Sequence, residues 1–524
     1  MTLFERVFGG NDYNYARTVA AIDEAIAAYG ESEPVSFPGT AYSLPCYYGV
    51  TGVKITTLGE MKAAMDTIKS KMTRNNRLHD AFESGIASAL CAEFLEALKY
   101  LHGAEPYAEP EMGHLTDAFV RNLGVPLVTG DIPGVAVIIG GAEDPAETVA
   151  LAKSYQAQGI LVTLTGDSIK HCFDAGMKLG ENVRVVPLGY EMQSVIHVVS
   201  VAVRAALIFG NVTPGDFASL AKYTMDRVKA FVNAYKPLSD EIVSYGAGAI
   251  CLGFPVISNE TENMFRVPKS LIQQLDTSKW NATSLEARDI KLKITNIDIP
   301  VAFATAFEGE IIRRGDMQVE VDGSRVDCFE LVQTRDASEV EDHKIVVDGP
   351  EIDEIPVGSK ISLSYTVEVA GKAMQPDFES VMERKIHSWI NCIEGVMHTG
   401  QRDMIRIRIS KADFEAGFKF KHLGEVLYAK VKSEFEAVVD KCQVTIVVNP
   451  EKNAALRAAA NEVFDKRDAR LASMTDESVD QYYTCIMCQA FSPSHVCIVT
   501  PERLGLCGAV SWLDAKATKE LDPA

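Results

Sequence analysis

Between Gly134 and Leu188 the chain alternates short apolar runs with helix-like segments, and this pattern constrains the fold more than any other feature. "GVAVIIGG", "ILVTLTG" and "VRVVPLG" read as strands, and "DPAETVALAKSYQAQG" and "DSIKHCFDAGMKLG" read as the helices between them. Strands that are apolar throughout, rather than on alternate residues, are buried on both faces. A βαβαβ unit of this kind predicts a parallel sheet flanked by helices. The first strand ends in "GGAEDP", which is not a G-x-G-x-x-G fingerprint, and the sequence contains no P-loop, so the unit reads as scaffold rather than a nucleotide site.

At 524 residues the chain exceeds what one hydrophobic core can organise, and its length predicts about three domains. From Asn14 to Tyr29, Val19, Ile22, Ile26 and Tyr29 recur at helical spacing before a stop at Gly30, and "SALCAEFLEALKYLHG" repeats the pattern. After "TSKWNATSLEARD" the texture changes to short alternating runs, "IKLKITNIDIP", "MQVEVDG" and "HKIVVDG", which predicts a boundary near Arg288. The acidic stretch from Asp336 to Gly358 reads as solvated loops. "DMIRIRIS" and "CQVTIVVNP" read as strands, and "AKVKSEFEAVVDK" and "NAALRAAANEVFDKRDARL" as helices. The expected architecture is therefore α/β multidomain: a helical and Rossmann-like parallel-sheet domain over 1–288, an α+β domain over 289–475, and the start of a third α+β domain over 476–524.

A formal charge of −21 repels nucleic-acid phosphates and anionic membranes, so neither partner is expected. The most apolar segment, "VIHVVSVAVRAALIFG", is interrupted by His197 and Arg204 and falls short of the roughly 20 residues that span a bilayer, so it reads as a buried core helix. No secretory signal opens the sequence, and a cytoplasmic location is expected.

Seven cysteines (Cys46, Cys91, Cys172, Cys251, Cys328, Cys392, Cys442) are scattered singly and read as small buried apolar residues. The other four, Cys485, Cys488, Cys497 and Cys507, cluster in "YYTCIMCQAFSPSHVCIVTPERLGLCGAVSW" with the spacing C-x2-C-x8-C-x9-C. A C-x-x-C pair puts two thiolates on one side of a tight turn, and two further sulfurs complete four-fold coordination. A 4Fe–4S cube suits such widely spread ligands, while structural zinc and a dithiol pair remain alternatives. His495 reads as a hydrogen-bonding neighbour rather than a ligand, and Glu502 and Arg503 read equally as partners that orient the loop or as an ordinary surface ion pair.

The window "YTCIMCQAFSPSHVCIVTPERLGLCGAVSWLDAKA" resembles the active-site cluster loop of bacterial CO-methylating acetyl-CoA synthases, the partners of carbon monoxide dehydrogenase in the Wood–Ljungdahl pathway. "FPGTAYSLP", "VTPGD", "GFPVI", "AFEGEIIRRGDM", "GSK", "MQPDFESVMERKIHSWIN", "HTGQRD" and "VDKCQVTI" resemble that family in the same order, so the resemblance covers essentially the whole chain. It implies that Cys485, Cys488, Cys497 and Cys507 hold a 4Fe–4S cube and that Cys488 also bridges to a proximal nickel, which makes Cys488 the candidate catalytic thiolate. A second, distal nickel is bound in the family by a C-G-C motif. The proximal nickel takes CO and a methyl group from a corrinoid iron–sulfur protein, joins them and passes the acetyl to the thiol of coenzyme A. CO reaches it through an internal channel from the dehydrogenase, which docks on the N-terminal domain.

No C-G-C occurs in this sequence, and Cys507-Gly508-Ala509 is the nearest string. The family motif belongs to a part beyond the last residue here, so the expectation is a fragment of a longer synthase that carries the cube, lacks the dinickel half and makes no acetyl-CoA alone. The other reading is a non-catalytic iron–sulfur protein that docks carbon monoxide dehydrogenase. In the middle domain Arg402, Arg406 and Arg408 are candidates to meet the phosphates of coenzyme A, because guanidinium pairs well with phosphate. The plainer reading is a solvated strand face.

Overall fold

The computed structural model describes residues 2–257 and 297–472, apart from 76, 130–131, 236–237, 305–306, 308–309, 324, 373–377 and 437, together with residues 285, 288 and 290. The cysteine window, the expected third domain and most of "IKLKITNIDIP" lie outside the described residues. The chain divides into one compact unit ending at Leu292 and another beginning at Lys293.

The first unit opens with a long helix, α1 (Leu3–Tyr29), which starts 11 residues before the helical spacing becomes regular at Asn14. Its start is set by a capping box: the Glu5 N–H donates to Thr2 Oγ1 and the Thr2 N–H to Glu5 Oε2, and Gly30, at φ 90°, ends it. Helices α2 (Pro45–Thr51), α3 (Leu58–Ser70), α4 (Arg77–Leu98) and α5 (Asp117–Thr129) follow. The predicted βαβαβ unit is then observed as β1 (Val135–Ile139), α6 (Pro145–Ala157), β2 (Leu161–Thr165), α7 (Asp167–Asp174) and β3 (Val185–Gly189). All three strands are buried along their whole length, as continuous apolar runs require.

Helices α8 (Ile196–Ile208) and α9 (Phe217–Tyr223) lead to β4 (Ala230–Ala234), and α10 (Asp240–Cys251) leads to β5 (Val256–Ile257). The sheet is parallel, in the order β3-β2-β1-β4-β5. Its two faces divide by residue parity. Val135, Val137 and Ile139 join the main helical core, while Phe231 and Asn233 meet Tyr155 of α6, whose hydroxyl donates to Asn233 Oδ1 at 2.8 Å. Helix α8 is the core helix expected from its sequence: 11 of its 13 residues are buried, His197 and Arg204 among them.

Helices α1, α4 and α10 pack through a seam of small and polar residues. Asn11 Nδ2 donates to Ser88 Oγ at 3.1 Å, and Ser88 and Ser244 share a hydrogen bond of 2.6 Å. At Gly85 a Cβ would lie 2.3 Å from the Gly248 nitrogen, so only glycine permits this backbone approach.

The second unit contains two four-stranded sheets. One runs β7 (Glu330–Thr334), β10 (Ser364–Gly371), β13 (Val439–Val447), β8 (Lys344–Asp348); the other runs β11 (Val396–Gln401), β12 (Met404–Ser410), β6 (Met317–Asp322), β9 (Ser359–Lys360). Helices α11 (Phe378–Ile390), α12 (Lys411–Glu415), α13 (Phe420–Glu434) and α14 (Pro450–Ala472) complete it. Ile405, Ile407 and Ile409 alternate into a core with Val319 and Val321. Asn391, just past α11, stitches that helix to β11: its Nδ2 donates to the His398 carbonyl and its Oδ1 accepts from the His398 N–H, both at 2.8 Å.

Two local expectations are corrected here. The helix expected over Ala429–Lys441 stops at Glu434, and Val439 already begins β13, because Phe435 ends the helix with φ −119° and turns the chain into the sheet. Within the expected loop from Asp336 to Gly358, Lys344–Asp348 forms β8, which pairs in parallel with β13.

Candidate metal centre and anion surface

All four clustered cysteines, Cys485, Cys488, Cys497 and Cys507, lie outside the described residues. Of the seven scattered cysteines, six are buried and Cys251 is partly so. Burial pushes the thiols of Cys91, Cys172, Cys251 and Cys442 up to about 12 and that of Cys328 up to about 11. They stay protonated and unreactive at neutral pH. Among the described residues no group of three or more His, Cys, Asp or Glu is arranged to hold a metal ion. No helix among the described residues is long and apolar enough to cross a membrane.

The three candidate arginines divide into two settings. Arg406 and Arg408 project from the same face of β12, opposite its isoleucines, and the register sets each against a carboxylate of β6: Arg406 opposite Asp322 and Arg408 opposite Glu320. Arg408 Nε donates to Glu320 Oε2 at 2.7 Å, and its Nη1 donates to the Ile312 carbonyl at 2.7 Å. Arg406 Nη2 donates to Asp322 Oδ2 at 3.3 Å. From β9, Lys360 approaches the same two carboxylates, 3.2 Å from Glu320 Oε1 and 3.7 Å from Asp322 Oδ2. Burial raises the Glu320 carboxyl, but Arg408 and Lys360 together outweigh it and hold it below the usual carboxylate range.

The side chain of Arg408 is 14% exposed and that of Arg406 is 49% exposed, so Arg406 presents its cation outward while Arg408 braces the row. Arg402 is not on the strand. It occupies the β11–β12 turn at φ 58°, donates from Nη1 to both oxygens of Asp468 at 2.9 and 2.8 Å, and stacks over the Phe464 ring of α14 at 5.1 Å. Sequence reasoning missed Lys360, Glu320 and Asp322. Only the alternation of "MQVEVDG" hinted that Glu320 and Asp322 share a face.

In the first unit the strand order reverses between β1 and β4, where open α/β sheets bind ligands. Next to the end of β1, Thr148 Oγ1 accepts from the Ala142 N–H at 2.9 Å and pairs with His171 Nδ1 at 3.2 Å, which ties the first turns after β1 and β2 together. A Cβ at Gly141 would lie 2.3 Å from His171 Cε1, so this end of β1 serves as scaffold.

Buried charge in the first unit gathers between α4 and α8. Glu93 accepts from the N–H groups of Cys46 at 2.6 Å and Tyr47 at 2.7 Å, the first turn of α2. Burial outweighs those bonds and raises its carboxyl to about 7. One turn on, burial likewise works to raise Glu96, but His197, Lys99 and Tyr107 prevail and hold it at about 2. Arg204 Nη1 donates to Asp117 Oδ1 at 2.7 Å and its Nη2 to the Leu115 carbonyl. Asp117 Oδ2 in turn accepts from the Ala41 N–H at 2.9 Å, within "FPGTAYSLP". Beside this network, Ala89 and Ala92 of α4, Ile196 and Val199 of α8, and Tyr245 and Ala249 of α10 line a small apolar cavity over the sheet.

Three family models match along the chain. The carbon monoxide dehydrogenase subunit alpha N-terminal domain matches residues 19–101, and the CO dehydrogenase/acetyl-CoA synthase complex beta subunit matches 299–453. The C-terminal region of the ACS/CODH beta subunit matches 464–524, which spans all four clustered cysteines. The carbon monoxide dehydrogenase/acetyl-CoA synthase subunit alpha of Moorella thermoacetica is 40% identical across 100% of this chain and 72% of that protein. The acetyl-CoA decarbonylase/synthase complex subunit beta 1 of Methanocaldococcus jannaschii is 39% identical across 99% of this chain and 68% of its own length. The subunit beta of Methanopyrus kandleri is 43% identical over 43% of this chain and 48% of that protein. With essentially all of its own length matched to relatives about 40% identical, the chain belongs to the carbon monoxide dehydrogenase/acetyl-CoA synthase family.

Proposed function

We propose that this chain carries the 4Fe–4S half of the acetyl-CoA-forming subunit of a carbon monoxide dehydrogenase/acetyl-CoA synthase complex, a subunit that joins CO, a methyl group from a corrinoid iron–sulfur protein, and coenzyme A. The observation that carries this reading is the match of the whole of this chain to 72% of the Moorella thermoacetica protein, together with the four-thiolate window inside the matched C-terminal region. Soft thiolates in the C-x2-C-x8-C-x9-C spacing suit a 4Fe–4S cube, with Cys485, Cys488, Cys497 and Cys507 as its ligands and Cys488 as the bridge toward nickel. When bound, the nickel–iron–sulfur group supplies the site at which CO and the methyl group combine.

The rest falls to the chain's own residues. The cations at the rim of the β12–β6–β9 row, Arg406 and Lys360, would meet the coenzyme phosphates, with Arg408 fixing their spacing through Glu320. Arg402 would stand at the hairpin tip, tied to α14. The apolar cavity between α4, α8 and α10 suits the passage of a small uncharged gas, and the first unit would dock the dehydrogenase.

Metal analysis of anaerobically purified protein tests the cluster: iron and labile sulfide near about four each per chain are expected, falling sharply in Cys488→Ser. Zinc without iron would sink the cluster reading. For the coenzyme surface, calorimetric titration should find coenzyme A binding weakened about tenfold or more in Arg408→Ala. Unchanged affinity removes that surface from the proposal.

A further inference from the structure

Glu330 opens β7 and is bound to the β11–β12 hairpin at two places. Its N–H donates to the Arg402 carbonyl in the hairpin turn at 2.8 Å, and its Oε1 pairs with Nε2 of His398, on β11, at 2.5 Å. Glu330 and His398 are each 1% exposed or less, so this bond lies inside the core. Strand β7 belongs to one four-stranded sheet and β11 to the other, and the pair therefore joins the two sheets through a buried polar contact. Whichever of the two side chains holds the proton, one hydrogen bond connects them.

Each partner is fixed on its own side. Both backbone groups of His398 are bonded to Asn391, and its ring stacks on Tyr365 of β10, which lies opposite Glu330 in the parallel ladder. Burial raises the Glu330 carboxyl, and His398 and the Arg402 backbone oppose that rise, so the same two hairpin residues bear on its side chain. In the β11–β12 ladder His398 stands opposite Ile407, while Thr399 and Arg406 stand opposite each other on the other face. The hairpin is thus fastened to β7 on the reverse of the face that carries Arg406 and Arg408. Arg402, at φ 58°, holds a left-handed conformation that a residue other than glycine keeps only where contacts maintain it, and the Glu330 N–H is one of them. Apolar side chains in place of the pair would pack without the cost of burying polar groups, but apolar contacts tolerate sliding, whereas a hydrogen bond prescribes a length and a direction.

We infer that Glu330 and His398 are positioning residues for the anion surface: their bond fixes the tilt of the β11–β12 hairpin against β7 and so sets where Arg402 stands relative to Arg406 and Arg408. The inference rests on the reading of that surface as the place where coenzyme A meets this chain. Both side chains are sealed in the core, so they act through the hairpin and not on the ligand. Two attachment points, at residues 398 and 402, define a direction for the hairpin, where the turn bond alone would leave a pivot. A ligand held by several cations is sensitive to their spacing, because a displacement of a few tenths of an ångström at one contact weakens the others.

The test uses the full chain with two readouts, calorimetric titration with coenzyme A and amide hydrogen exchange. Glu330→Leu, His398→Leu and the double variant are each expected to weaken coenzyme A binding about three- to tenfold, the double variant no more than the worse single one. Glu330→Gln, whose side-chain carbonyl still accepts from the imidazole, is expected to stay within about twofold of the parent. Exchange at residue 330 and across 396–408 should quicken in the leucine variants and stay unchanged in β13. A merely structural pair would lower Tm and leave affinity alone, so leucine variants that bind as the parent does, or a glutamine variant as weak as they are, would overturn the inference. If the parent does not bind coenzyme A, or Arg408→Ala binds it unchanged, the coenzyme reading fails by itself and exchange decides the positioning: faster exchange in the hairpin supports it, and unchanged exchange refutes it. Should the leucine variants not fold, His398→Asn, too short to reach Glu330, is judged on the same two readouts.

Discussion

Arg204 and Arg408 are both arginines bound to carboxylates, yet they do opposite work. Arg204 is fully buried on α8, and its partner Asp117 spends its other oxygen on the Ala41 N–H. That ion pair fastens a stretch of irregular backbone to a helix, as Glu93 does for the first turn of α2. Arg408 belongs to a cross-strand row whose apolar face is the core and whose charged face ends in the exposed cation of Arg406. A buried charge is costly alone and must be matched where it stands. A charge at the rim of a sheet is free to meet a ligand. The difference teaches that charged residues in this chain are read by what their partner holds: backbone in the first unit, another cation's geometry in the second.

The sharpest way to break the comparison is Arg204→Met, which strands Asp117 in the core and should cost about 3–5 kcal/mol in denaturant unfolding. A loss below about 1 kcal/mol would mean the pair is not matched in the way described. The next effect is a pH slope. Glu93 titrates near 7 in the folded protein and near 4.5 when free, so the folded state binds the extra proton between those values. Its contribution is fully present below pH 4.5 and is lost as pH rises through 7, up to roughly 3 kcal/mol over the interval. Glu96, held near 2, behaves oppositely: its contribution is present above pH 4.5 and lost as pH falls toward 2. Glu93→Gln should flatten the slope between about pH 5 and 8 in urea unfolding, and Glu96→Gln should leave that slope in place.

In the second unit Glu320→Gln removes the shared partner of Arg408 and Lys360 and should cost roughly 1–3 kcal/mol, read as a lower Tm. Smallest of all is Asp468→Asn at the exposed Arg402 pair, less than about 1 kcal/mol and vanishing at high salt. A larger loss there would move Arg402 into the company of Arg204.

The parallel sheet was legible because each of its first three strands is buried on both faces and carries no polar alternation to blur it. Helix α8 was legible for the same reason, and the two charges that interrupt its apolar run were the visible sign of the network around it. What they meet was not legible, since Glu96, Asp117 and Ala41 are separated from them in sequence and only the fold brings them together. The missed strand start at Val439 has a local cause: Phe435, Val438 and Val439 continue a helical apolar spacing across the point where the backbone turns. Arg402 was grouped with Arg406 and Arg408 by proximity in sequence, and a hairpin turn separates them. The cysteine window stands out in the sequence by its spacing alone, and it lies outside the described residues.

The contact of Gly85 with Gly248 has a consequence for the apolar cavity that α4 and α10 help to enclose. Where two helices meet through side chains, rotamer changes let their separation breathe by a fraction of an ångström. Where they meet peptide against peptide, no rotamer exists to change, and the spacing behaves like a fixed aperture rather than a spring. The bore of that cavity is thereby set on one side by a backbone-to-backbone contact, and substitutions among its lining alanines would narrow it without a rotamer change behind them to make room.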